Sequence, residues 1–216
     1  MYRVFMLLWA PLIAGELTFS DFQVQKKEAQ WWKESEGMII GGSPTEKITH
    51  NTFITSKKRY ANFELRLQVK LIAHQSKNPN AGIQIRSERV PNHHEMIGYQ
   101  VDMARGYWGK IYDESRRRRM VAELLSPEAA QAVKPGWNDY RILCVGPRIQ
   151  VWLNGIKTVD YTEQLKKIPL EGLIALQAHS GAPFEVGYRK IIITELPATE
   201  GIMTWEKLGP DGVKLK

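Results

Sequence analysis

With 216 residues, one cysteine and a formal net charge of +7, the chain has room for a single domain with a sizeable core. Lone Cys144 excludes an intrachain disulfide and a multi-cysteine zinc site, and its strand-like surroundings (YRILCV) predict a buried, inert thiol. The composition (43% hydrophobic, 25% charged) is that of a globular protein, and the cations are dispersed except at Arg116–Arg119, which excludes a nucleic-acid footprint.

The first fifteen residues, MYRVFMLLWAPLIAG, read as a short positive start and an apolar run. The run is too short to span a bilayer and fits the h-region of a secretory signal, although Leu12 or Ile13 would stand where cleavage prefers a small residue. The expectation is a leader over residues 1–15, a periplasmic or secreted protein, and no stable membrane insertion. A buried first strand is the alternative.

LTFSDFQV then reads as a strand, and Trp31–Gly42 as a turn at Glu36-Gly37 leading into a short apolar strand. NTFITS opens another. In NFELRLQVKLI, Phe63, Leu65, Leu67, Val69 and Leu71 alternate with Glu64, Arg66, Gln68 and Lys70, the period-two signature of a strand with one buried face. GIQIRSE, MIGYQVDMA and GYWGKIYDE follow as short strands. Ser126–Gly136 predicts one short helix, with Ser126 as N-cap and Pro127 at its first position. WNDYRILCV, RIQVWL and IKTVDY form a meander whose Asn154-Gly155 is a two-residue hairpin signal. LIALQAHS and FEVGYRKIIITEL close the domain at residue 197, and residues 198–216 read as a tail. About a dozen strands and one short helix predict an all-β sandwich over residues 16–197.

The chemistry concentrates between Asn80 and Arg119. Alternation predicts Gln84 with Arg86, Gln100 with Asp102, and Trp108 with Lys110 and Tyr112 on one sheet face, a polar and aromatic surface suited to a sugar. His179 lies two residues beyond Gln177 and shares its face. The Glu-x-Asp-x-Glu triplet of a β-sandwich glucanase is missing; Gln100-Val101-Asp102 is its nearest analogue, and adjacent Asp113 and Glu114 should point to opposite faces. His93-His94-Glu95 invites a metal, but neighbouring side chains on an extended segment diverge, so no metal site is expected. A cofactor is not expected either, because the chain has no glycine-rich phosphate loop and no nucleophile elbow. The Arg116–Arg119 run reads as a solvated loop.

Six segments, HNTFITS, YANFELRLQVKL, NPNAGIQIRS, GYQVDMARGYWGKIYDESRRRR, GWNDYRILCVGPRIQVWLNG and GLIALQAHSGAPFEVGYRKIIITEL, resemble in order the concanavalin-A-like 3-keto-disaccharide hydrolase domain family. The resemblance runs from His50 to Leu196. It departs at the first strand, where LTFSDFQVQKKEAQ replaces the family's usual opening, and at Gln100, where many members carry glutamate.

The resemblance implies a jelly-roll sandwich acting on glycosides oxidised at C3. A C3 ketone acidifies the C2 hydrogen, so a base can remove it while the C1 substituent leaves, and hydration of the enone completes a net hydrolysis. On this basis Asp102 is the candidate base and His179 the acid, or the base if Asp102 only orients it. Arg86 is the candidate to stabilise the enolate oxygen. Gln84, Gln100, Lys110, Tyr112, Glu114 and Gln177 would bind sugar hydroxyls, and Trp108 would stack on the ring. A non-catalytic carbohydrate-binding module is the competing expectation, since one fold and one polar face serve both.

Overall fold

A computed structural model describes residues 14–209 and 212. In chain order the strands are β1 Ala14–Leu17, β2 Phe22–Val24, β3 Trp32–Ser35, β4 Met38–Ser43, β5 Thr52–Tyr60, β6 Phe63–Ile72, β7 Ala81–Arg89 and β8 Met96–Met103. There follow β9 Ile111–Glu114, β10 Arg119–Ala122, β11 Asn138–Val145, β12 Arg148–Leu153, β13 Ile156–Thr162, β14 Gly172–Ala178 and β15 Phe184–Glu195. They form two antiparallel sheets packed as a jelly-roll sandwich. The back sheet runs β13-β12-β11-β6-β15-β4-β3, with β1 also on β15; the front sheet runs β10-β9-β8-β7-β14-β5-β2.

The alternation of β6 is realised as read: Phe63, Leu65, Leu67 and Val69 are buried between the sheets. They meet Ile83, Ile85, Tyr99 and Val101 of the front sheet in one continuous core that also holds the Cys144 thiol. Glu36-Gly37 and Asn154-Gly155 both take the paired positive φ angles (51° and 68°, 49° and 85°) of type I′ hairpin turns, matching the twist of the strands they join. The helix expected over Ser126–Gly136 is a shorter 3-10 helix, Pro127–Ala132, with proline at its start and no side-chain cap hydrogen bond from Ser126.

Three expectations are corrected. LTFSDFQV is not one strand. Thr18 and Asp21 close a capping box (Thr18 N–H to Asp21 Oδ2, 2.8 Å) around a 3-10 turn at Phe19–Asp21, which sends β1 to the back sheet and β2 to the front. Ala14, within the expected leader, pairs with Thr194 in the back sheet, while residues 1–13 lie outside the described residues.

The stretch after 197 is docked. Asn62 Nδ2 donates to Pro197 O (2.6 Å) and Thr199 Oγ1 (2.8 Å), and a short helix, α1 Trp205–Leu208, buries Trp205 against Val90 and Ile97. The arginine run is in part an interior ionic cluster. Asp113, facing the core, pairs with Arg116 and Arg117, and Arg117 also reaches Glu163 (2.7 Å). No described helix is long and apolar enough to cross a membrane.

Candidate functional site

The site lies on the outer face of the front sheet. Register places Tyr112, Gln100 and Gln84 in one row across β9, β8 and β7, and Asp102, Gly82 and Gln177 in the next across β8, β7 and β14. Gly82 is required there. A Cβ would stand 2.4 Å from Gln100 Cδ, so only glycine lets the Gln100 side chain lie across β7.

Gln100 is thereby the middle of a directed chain. Ser87 Oγ–H donates to Gln84 Oε1 (2.7 Å), Gln84 Nε2 to Gln100 Oε1 (2.8 Å), and Gln100 Nε2 to Asp102 Oδ1 (2.7 Å). Each amide is fixed in orientation by its neighbours, and one carboxylate oxygen is held while the other is left for a ligand.

Asp102 lines a cavity of about 340 Å³. Gln100, Tyr112, Glu114 and Met120 line it from the sheet, Ala104 and Tyr107 from the β8–β9 connection, and Asn51, Asn80 and His179 from strand-end loops. Burial pushes the Asp102 carboxyl up to about 7; the Gln100 hydrogen bond and Lys110 oppose this, while the Glu114 charge adds to it. Glu114 is itself raised by burial. Burial and then the Glu114 charge raise Glu95 to about 7, against a 3.1 Å hydrogen bond from Asn51. Tyr112 is held above its ordinary range by burial and by Glu114, so its hydroxyl stays a donor at neutral pH. His179 donates Nδ1–H to Ser180 O (2.8 Å), leaving Nε2 as the ring nitrogen able to take or give a proton.

Five buried side-chain polar atoms in this region have no partner among the described residues: His50 Nε2, Asn80 Oδ1, Glu95 Oε2 and both amide atoms of Gln177. Such groups are rare in native interiors and ask for a ligand or ordered water. They sit around one cavity: Asn80 lines it, His50 and Glu95 adjoin its Asn51 wall, and Gln177 precedes His179 on the Asp102 row.

Of the expected residues, Gln100, Asp102, Tyr112, Glu114 and His179 are brought into this cavity, with Gln84 fully buried behind Gln100 and Gln177 buried alongside. Lys110 sits beside them, paired with Glu123 (2.8 Å) and over the Tyr107 ring.

Two expectations fail. Arg86 does not share the face of Gln84, because β7 bulges between Ile85 and Glu88 and Arg86 takes a left-handed φ of 50°. Its guanidinium turns inward to Ala61 O (2.8 Å), Gly146 O (2.6 Å) and Asn62 Oδ1 (3.4 Å), fully buried. Trp108 does not reach the cavity. Residues 104–109 are a turn rather than a strand, and its indole stacks on Tyr140 at 6.2 Å and 14°.

Asn51, Asn80 and Tyr107 were missed, because they sit in loops where no alternation marks them, and Glu95 drew notice only within a metal-like triplet. His93 and His94 stack at 4.1 Å, and among the described residues no three histidine, cysteine or acidic side chains are placed to hold a metal ion.

A jelly-roll sandwich with a polar cavity on one outer face is the architecture of lectin-like and carbohydrate-active proteins. The chain belongs to the 3-keto-α-glucoside-1,2-lyase-like domain family, whose model matches residues 8–194. No curated protein matches it. A putative glycosyl hydrolase from Parabacteroides distasonis is similar in structure (TM-score 0.59, 21% identity, 85% of this chain and 100% of that one). So are the carbohydrate-binding module CBM66 from Bacillus subtilis (TM-score 0.55, 14% identity, 74% and 88%) and a legume lectin-like domain from Entamoeba histolytica (TM-score 0.52, 11% identity, 82% and 91%). These three likenesses concern the fold; family membership supports a sugar-related role.

Proposed function

We propose that the protein cleaves glycosides already oxidised at C3, by elimination followed by hydration. The Asp102 carboxylate takes the C2 proton, the C1–O bond breaks, and the departing oxygen receives a proton from His179. The product of this half is an enone. Water then gives a proton to His179 and adds its hydroxyl at C1 while Asp102 returns the abstracted proton to C2, giving the free 3-keto sugar and restoring both groups. The carrying observation is Asp102 itself: a carboxyl poised near neutrality, anchored by one oxygen and opening on the cavity. A base matched to the working pH is what proton abstraction beside a ketone needs. Developing charge at the C3 oxygen falls to neutral donors of the cavity, Tyr112 and the Asn51 and Asn80 amides, in place of Arg86.

The five unpartnered atoms favour a second reading, a binding module that satisfies them with sugar hydroxyls and performs no chemistry. Product analysis with a 3-keto-glucoside and its unoxidised parent separates the two. Release of aglycone from the keto substrate alone is the expected result; saturable binding with release from neither would retire the catalytic roles. Export through the N-terminal apolar stretch is part of the proposal, tested by the mass of the mature N-terminus.

A further inference from the structure

A second cleft, also about 340 Å³, borders the candidate site along the segments 78–80 and 104–108. The two share chain segments. Asn80, Ala104 and Tyr107 face the polar cavity, while Asn78, Pro79, Arg105, Gly106 and Trp108 face the cleft. The cleft is mainly apolar, walled by Leu71, Pro79, Trp108, Leu124 and Val133. Its aromatic wall is preformed, because stacking on buried Tyr140 fixes the Trp108 indole. Lys77 and Arg105 stand exposed on its rim, and neither has an ion-pair or hydrogen-bond partner among the described residues. A rigid aromatic wall with unneutralised cations at its mouth suits a flat apolar group bearing a negative charge.

Resting on the reading above, in which a sugar ring occupies the polar cavity and its C1 substituent must extend out of it, we infer that this cleft is the aglycone subsite. The substrates it selects are glycosides of aromatic aglycones that carry a carboxylate. Trp108 then contacts the ligand after all, through the leaving group rather than the sugar.

The test is calorimetric binding of 4-carboxyphenyl, phenyl and methyl glucosides to the full chain and to three variants. Wild type is expected to bind the 4-carboxyphenyl compound at least tenfold more tightly than the methyl one, with the phenyl compound between them. Arg105→Ala and Lys77→Ala, both at exposed positions, should remove the carboxylate preference and keep the phenyl one. Ala130→Trp, which fills the cleft from its exposed edge, should abolish both. Equal or absent affinity for the three ligands, or a preference that survives Ala130→Trp, overturns the inference. Turnover of methyl 3-keto-glucoside, which places nothing in the cleft, reports on the chemistry alone. An aryl preference without that turnover refutes the elimination reading and leaves the subsite; turnover without the preference does the reverse.

Discussion

On the outer face of the back sheet, Glu64 joins Arg66 (2.6 Å) and Arg141 (2.6 Å), Gln68 bridges Asp139 and Arg189, and Arg148 closes on Asp160. On the outer face of the front sheet, by contrast, Gln84, Gln100, Asp102 and Gln177 are buried, and five polar atoms here, two of them Gln177's own, lack partners among the described residues. Both faces arise from the same alternation of polar residues along strands. The back face lies in solvent, where most charges around the shallow depression over Arg66, Asp139 and Trp152 neutralise one another and Lys190 stays hydrated at its exposed position. Loops carrying Asn51, Asn80, Tyr107 and His179 enclose the cavity on the front face and withdraw Asp102 from water. Desolvation, more than residue identity, raises the Asp102 carboxyl while Asp160, half-exposed beside Arg148, is held well below the usual carboxylate range.

That contrast is open to direct attack. Asp102→Asn should lower kcat on a 3-keto-glucoside by about 10²–10⁴-fold, the ordinary weight of a general base. The same substitution should stabilise the fold. The Asp102 folded-state carboxyl is raised to about 7, so its stabilising contribution is full at low pH and lost as pH rises toward 7. At pH 8 the asparagine variant should gain up to about 4 kcal/mol in denaturant unfolding, and near pH 4 almost nothing. A variant both inactive and destabilised at pH 8 would mean that Asp102 is structural.

Arg86→Met inverts this pattern. It removes the guanidinium donor from the Ala61 and Gly146 carbonyls, Asn62 Oδ1 keeping only the Gly146 N–H, and should cost about 3 kcal/mol, while kcat of the folded fraction stays within about twofold. A large loss of kcat at full stability would return Arg86 to the reaction. Glu114→Gln removes a like charge beside Asp102, so the acid limb of the kcat/KM profile should move down by roughly half a pH unit. The smallest effect belongs to the back face: Asp160→Asn, in an exposed pair, should change stability by less than about 1 kcal/mol.

Strand alternation made Gln100, Asp102, Tyr112 and Glu114 legible as one group, because the period of a strand fixes which side chains share a face. It failed at Arg86 and Trp108 for local backbone reasons. A bulge breaks the period at one, and a tight turn replaces the strand at the other. Trp205 illustrates a different limit. Nothing periodic surrounds it, yet it is buried and donates Nε1–H to Arg86 O (3.2 Å), an anchor set by a partner more than a hundred residues away.

By itself, the sequence determined the sandwich, its hairpins at Glu36-Gly37 and Asn154-Gly155, and the family, since these rest on local turn chemistry, period-two burial and ordered motifs. Tertiary structure decided which outer face becomes a site. Burial of Asp102, the bridge of Gln100 over Gly82, and the arrival of Asn51, Asn80 and His179 at one cavity depend on strands and loops far apart in the chain. Their effect on a carboxyl arises through dielectric and distance, which no local pattern encodes.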